Sequence, residues 1–281
     1  RIDLIRTGKM TEVIGNMKTV NDAGNKYYYF APQMEPIKNN YKPYKIWMPV
    51  PKREREVNKN LSQNIMKKFA DLICKTFGPD EGQIHGYPGH QEIELALIRL
   101  YHVTGEKKYL ETAKYFIDTR GVGENYFLEE EKRPEYKQIF PEFAGYDPRY
   151  SQSHEPVREQ KTAEGHAVRA VYMYCAMADL AYEYKDKELL DACKTLWEDM
   201  TKRQMYITGS IGASGLLERF TTDYDLPNNC NYSETCASIG LALFGRRMAQ
   251  ITKDASYMDV VERALYNTLL SGIAQDGKSF F

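Results

Sequence analysis

Residues 167–201 read AVRAVYMYCAMADLAYEYKDKELLDACKTLWEDMT, and this stretch decides the fold. Ala167 to Tyr184 carries an uninterrupted apolar run from Ala170 to Ala178, too long for an ordinary strand and well short of a membrane span. Lys185-Asp186 breaks the pattern, and Glu188 to Thr201 resumes it as a second helix. The same plan occurs earlier, with Glu92 to Val103, a break at Thr104-Gly105-Glu106, and Lys108 to Thr119. It occurs again later, with Glu234 to Ile251, a break at Thr252-Lys253-Asp254, and Ser256 to Ser271. The second helices open alike, on Tyr109-Leu110-Glu111, Leu189-Leu190-Asp191 and Tyr257-Met258-Asp259. A helical hairpin cannot bury its apolar face alone, so such units stack as a solenoid or close into an α/α toroid. The expected fold class is an all-α array of helical hairpins.

The chain around this array has 281 residues, with 38 Lys+Arg against 39 Asp+Glu. A net charge of −1 gives no attraction to a polyanion, which argues against a nucleic-acid partner, and no run is long enough to cross a membrane. Five cysteines, an odd number without a CxxC pair, read as reduced thiols in a cytoplasmic protein. Residues 1–56 hold five of the twelve prolines and read as loops and extended pieces; a helical catalytic region is expected over 57–281. Two long insertions, 121–156 and 208–232, read as non-helical and fall at junctions between hairpins, where functional loops belong.

The second insertion is rich in carboxylates: Glu218, Asp223 and Asp225 precede Glu234, among Phe220, Tyr224 and Tyr232. Glycoside hydrolysis needs one carboxyl to protonate the leaving oxygen, and an aromatic setting would raise that group's pKa. The glycines at 209, 212 and 215 lack the Lys-Ser/Thr ending of a phosphate loop and are expected to shape turns. Ser233 is a plausible helix cap, which would put Glu234 and Cys236 in a first turn; both are competent zinc ligands, although residues two apart do not share a helix face. His90 and His166 each stand just before a first helix, at the same end of their hairpins, and are expected to bind ligand.

Five strings now stand in order: Gly89-His90-Gln91-Glu92-Ile93-Glu94-Leu95-Ala96-Leu97, Glu164-Gly165-His166-Ala167-Val168-Arg169, Met205 to Gly212, Asp223 to Asn228, and Glu234-Thr235-Cys236-Ala237-Ser238. Together they resemble glycoside hydrolase family 127, the β-L-arabinofuranosidases, from about residue 60 to Phe281. The resemblance implies an (α/α)6 toroid, here incomplete and without the family's β-sandwiches. It implies a retaining, exo-acting β-L-arabinofuranosidase with a carbohydrate substrate. It also implies Glu218 as acid/base, Glu234 and Cys236 as two of four zinc ligands, and His90 and His166 as contacts to sugar hydroxyls. The nucleophile it implies is a zinc-bound cysteine of a vicinal pair downstream of Phe281, so the 281 residues alone are expected to be inactive. An incomplete toroid would expose apolar helix faces, which makes a homo-oligomer an expectation as well.

Two other readings compete. One is a non-catalytic helical array that binds carbohydrate or protein in its cleft. The other is a toroid enzyme that uses acidic residues without a metal, which would leave Glu234 and Cys236 unexplained.

Overall fold

The computed structural model describes residues 33–34, 46–47, 52–139 and 145–279. The chain divides into two compact units, Arg1–Phe69 with Ser271–Phe281, and Ala70–Leu270. In the first, β1 (Gln33–Met34) pairs antiparallel with β2 (Ile46–Trp47), in register Gln33 to Trp47. These are two of the extended pieces expected before residue 56; the other residues of that segment before Lys52 lie outside the described ones. Helix α1 (Lys52–Thr76) begins within the expected loop region and runs on into the second unit.

The second unit contains the three expected hairpins. They are α2 (Ile93–Thr104) with α3 (Lys107–Thr119), α5 (Ala167–Tyr184) with α6 (Lys187–Arg203), and α7 (Thr235–Thr252) with α8 (Ser256–Arg263). Each first helix ends on a left-handed residue, Gly105 (φ 74°), Lys185 (φ 54°) or Lys253 (φ 62°). That conformation returns a backbone N–H to the last turn and reverses the chain at once. The final helix departs from expectation: α8 stops at Arg263 and continues as a wider turn over Ala264–Leu269. There Thr268 donates its hydroxyl to the Thr208 carbonyl at 3.1 Å, which ties this turn to the loop after α6.

Helix α5 is central, packed between α2 and α7. Val171, Met173, Tyr174, Cys175, Ala176 and Met177 are all fully buried, and such burial contributes about 1.5–3 kcal/mol for each large apolar side chain. Tyr174 meets Phe244 with ring centroids 5.5 Å apart, and Trp197 joins Phe244 to Tyr257. The close approach of α5 and α7 depends on Gly240, where a β-carbon would lie 2.2 Å from a Val171 methyl. Arg247 Nε then donates to both oxygens of Asp179, 2.9 Å each, across the same pair of helices. Cys175 and Cys193 are fully buried in this core.

The insertions are less irregular than their composition suggests. Asn125 caps a short helix α4 (Tyr126–Glu131), accepting from the N–H groups of Phe127 and Leu128. Asp147 caps a single turn over Pro148–Ser151. No helix among the described residues is long and apolar enough to cross a membrane.

Candidate active site

His166 is the N-cap of α5, and its place is set by the residue before it. Gly165 has φ +72°, and its α-carbon passes so close to Arg149 that a β-carbon would stand 2.0 Å from that carbonyl oxygen. The close approach lets His166 N donate to the Tyr150 carbonyl at 3.0 Å, while the Gly165 carbonyl accepts from Phe220 N at 2.9 Å. His166 Nδ1 accepts the N–H groups of Val168 and Arg169 at 3.2 and 3.4 Å. An accepting Nδ1 in a neutral ring leaves the proton on Nε2. Nε2 therefore donates to Glu218 Oε2 at 2.9 Å. Burial and the nearby Arg169 guanidinium lower the His166 pKa to about 4, which keeps the ring neutral.

Glu218 sits on a tight turn closed by paired hydrogen bonds between Ser214 and Arg219, 3.1 Å in each direction. Inside that turn Leu217 and Glu218 both have left-handed backbones, φ 59° and 53°. Such conformations cost of order 1 kcal/mol or more for residues with a β-carbon, and they cluster at functional sites. The turn presents the carboxylate to two donors at once: Tyr232 OH meets Oε1 at 2.6 Å, and His166 meets Oε2. Tyr232 is itself pinned, since its N–H donates to the Ala213 carbonyl at 3.0 Å. Donation from Tyr232 leads the effects that hold Glu218 below the usual carboxylate range, and His166 and Arg169 add to it. This reverses the expected upward shift. The aromatic neighbour acts through its hydroxyl rather than through its ring, so it stabilises the charged form.

The expected cap at Ser233 is also corrected. Ser233 has φ 50°, and its hydroxyl donates to Ser210 Oγ at 2.9 Å instead of to the helix. Glu234 becomes the N-cap of α7, with φ −56° and ψ 134°, outside the helical region. The same-face objection to Glu234 and Cys236 acting together therefore lapses, because only Cys236 is in the helix. Partial burial and the neighbouring Glu234 and Glu218 carboxylates push the Cys236 thiol up to about 11. Glu234 Oε2 is buried without a hydrogen-bond partner. One ligand atom from each of His166, Glu218 and Glu234 lies within 4.8 Å of the others. The unpartnered Glu234 oxygen and the Cys236 thiol are donors of the kinds zinc takes, whereas both ring nitrogens of His166 and both oxygens of Glu218 are already engaged.

His90 joins the same cluster, its ring 5.8 Å from His166 and 6.2 Å from Tyr172. Burial and Arg169 lower its pKa as well. The five residues given roles by the resemblance, His90, His166, Glu218, Glu234 and Cys236, thus lie together. Sequence reasoning passed over the residues that hold them. Arg169 stacks on Tyr150, guanidinium carbon 4.6 Å from the ring centroid, and donates Nη1 to the Gly89 carbonyl at 2.7 Å. Its position three residues after His166, in the first turn of α5, was the available signal. Beneath, fully buried Arg120 donates to the carbonyls of Pro88 (2.6 Å) and Ser151 (2.9 Å), with Glu94 Oε1 3.5 Å away. Gln91 reinforces it with 2.8 Å to the Ser151 carbonyl and 2.6 Å to Gln152 Oε1. Asp223 lies off the cluster, paired with Arg203 at 3.2 Å.

A family model described as β-L-arabinofuranosidase, GH127 catalytic domain, matches residues 27–281, starting ahead of the boundary expected at 57. The non-reducing end β-L-arabinofuranosidase of Bifidobacterium longum subsp. longum is 43% identical over 217 residues, covering 77% of this chain and 33% of that protein. Among solved structures, Ara127N-Se, a GH127 β-L-arabinofuranosidase from Geobacillus stearothermophilus T6, superposes with a TM-score of 0.74 at 56% identity over 78% of this chain and 34% of its own. The GH127 β-arabinofuranosidase BT3674 superposes at 0.67 with 44% identity, again over 78% of this chain and 31% of its own. The chain thus spans about a third of the length of these relatives. The matches carry the helical array into the toroid fold of this family.

Proposed function

Because the chain belongs to the GH127 β-L-arabinofuranosidase catalytic-domain family, we propose that it forms the acid/base half of a retaining, exo-acting β-L-arabinofuranosidase. The observation that carries this reading is Glu218, a carboxylate held between Tyr232 and His166 at the N-terminal end of α5. A sugar hydroxyl that claims His166 Nε2 removes one of the two donors to Glu218, and the arriving ring excludes water from it. Both changes favour the protonated form, so substrate binding moves the carboxyl toward the state that gives a proton to the leaving oxygen. Departure of the leaving group readmits water, and Glu218, again a carboxylate, takes a proton from it as the water oxygen bonds to the anomeric carbon and the enzyme's attacking group leaves. His90 and His166 are neutral and can each hydrogen-bond a sugar hydroxyl without bringing a charge.

Glu234 and Cys236 are proposed as zinc ligands, on the buried Glu234 oxygen that has no hydrogen-bond partner and the thiol two residues on, at the start of α7. Zinc bound there would keep a thiolate deprotonated near neutral pH. The chain contains no vicinal cysteine pair, so the group that attacks the anomeric carbon is not assigned to one of its residues. A cytoplasmic location is proposed from the odd number of cysteines, none of them paired among the described residues. Self-association is proposed from apolar side chains left exposed on the helices, Tyr266 and Leu270 among them.

Zinc content by elemental analysis of the purified chain tests the ligand assignment. Near-stoichiometric zinc should fall at least tenfold in both Cys236→Ser and Glu234→Gln. Equal zinc in wild type and variants would refute it, as would none in any of the three.

A further inference from the structure

Gln152 lies in the first insertion, between His90 and His166 in sequence, and is fully buried. Its backbone is left-handed, φ 54°, and ends the single turn over Pro148–Ser151 by returning its N–H to the Arg149 carbonyl at 3.1 Å. Glycine would hold that turn without strain, whereas a residue with a β-carbon persists there only where its surroundings over-determine it. Those surroundings are supplied by the side chain. Nε2 donates to the Glu164 carbonyl at 2.7 Å and meets the carbonyls of His166 and Tyr150 at 3.3 Å each. Carbonyl oxygens around one end of the amide fix its orientation, since the flipped amide would set oxygen against oxygen. Oε1 therefore faces Gln91, the residue after His90, and accepts from its Nε2 at 2.6 Å. Two buried amides thus join the segment that carries His90 to the segment that carries His166.

The joint bears directly on the candidate site. His166 N donates to the Tyr150 carbonyl, so the Gln152 amide touches both the His166 carbonyl and the acceptor of the His166 N–H. The ring set by this backbone lies 5.8 Å from that of His90, and its Nε2 donates to Glu218 at 2.9 Å. A shift of about 1 Å in such a group is enough to cost a catalytic site most of its rate.

We propose that Gln152 is a positioning residue: through Gln91 and the carbonyls of Glu164 and His166, it sets the spacing of the two histidine rings and the aim of His166 at Glu218. Its meaning for catalysis rests on the acid/base reading of Glu218 above. Its geometry is read without substrate, so the two can fail separately.

The test is histidine-ring NMR of the isotope-labelled chain near neutral pH, in wild type, Gln152→Asn, Gln91→Met and Gln160→Leu. Asparagine tolerates the left-handed backbone and keeps an amide, but is one methylene short of the carbonyls. Wild type should show a through-space signal between the His90 and His166 rings and a slowly exchanging His166 Nε2 proton. In Gln152→Asn the ring-to-ring signal should be lost and that proton should exchange at least about tenfold faster, the protection that a hydrogen bond to a charged acceptor gives. His102, which pairs with Glu183 near the other end of its helix, should keep its signals. Gln160 donates to the Gln152 and Glu155 carbonyls in the same buried layer but to neither histidine segment. Gln160→Leu should therefore lower the melting temperature and leave both signals in place. Signals unchanged in Gln152→Asn, or lost equally in Gln160→Leu, would overturn the proposal. If Gln152→Asn does not fold, Gln91→Met decides: the ring-to-ring signal should vanish while the Nε2 proton stays protected, and a retained ring-to-ring signal would overturn the bridge. A wild type that shows both signals yet binds no β-L-arabinofuranoside would count against the glycosidase reading and leave the positioning role standing.

Discussion

Gly165→Ala tests whether the approach of two backbones places the site. The added β-carbon would lie 2.0 Å from the Arg149 carbonyl oxygen and 2.7 Å from that of Tyr150. A carbon–oxygen contact rests near 3.3 Å, so the segments must part by about 1.3 Å. That movement breaks the bond from His166 N to Tyr150 and strains the one from Phe220 N to Gly165. Two backbone hydrogen bonds at about 1 kcal/mol each, with about 1–2 kcal/mol for alanine at positive φ, give a loss of about 3–4 kcal/mol. Gly123→Ala is the control: φ is +70°, but nothing lies within 4 Å of the new carbon, which leaves only the conformational cost. In urea denaturation with a slope of about 2 kcal/mol/M, the midpoint should fall by about 1.5–2 M for Gly165→Ala and by less than about 1 M for Gly123→Ala. Equal shifts in the two variants would refute the reasoning, because they would show that the contact with Arg149 can relax freely.

Two further perturbations probe the same framework. Arg120→Ala leaves Glu94 buried without its cation and the Pro88 and Ser151 carbonyls without their donor, so a loss of about 3–5 kcal/mol in urea unfolding is expected; a loss under about 1 kcal/mol would contradict it. His166 is held neutral to about pH 4 in the fold but titrates near 6.5 when exposed, so the unfolded chain takes up its proton first. Stability contributed by the neutral ring is complete above pH 6.5 and declines as the pH falls toward 4. His166→Gln should flatten stability against pH in that window, and an unchanged slope would show that other groups produce it.

Much of this was legible in the chain. Hairpin bounds followed from helical periodicity and short polar breaks, because α2, α5 and α7 bury apolar residues that must recur every three or four positions. His90 and His166 were visible as paired placements before helices. What the sequence hid depended on backbone handedness and on contacts across long separations. Ser233 looked like a cap, yet its φ of 50° moved that role to Glu234 and made a neighbour of Cys236. Tyr232 looked like an apolar neighbour that would raise a carboxyl, but a hydroxyl 2.6 Å from Glu218 has the opposite effect. Arg120 and Gln91 gave no sign, since a buried cation is recognisable only once the carbonyls it serves are in place.

The three hairpin turns end on the same left-handed backbone, but Gly105 occupies it once and Lys185 and Lys253 the other two times. The repeat is thus written in geometry, and residue identity follows it loosely. A search for recurring glycine punctuation would find one turn of the three, and the kinship of the hairpins would be missed. The turns are in that sense interchangeable parts. Each lies at the opposite end of its first helix from His90, His166 or Glu234, so one can be exchanged for another, or lengthened to carry a tag, without touching the end where the side chains of the candidate site gather.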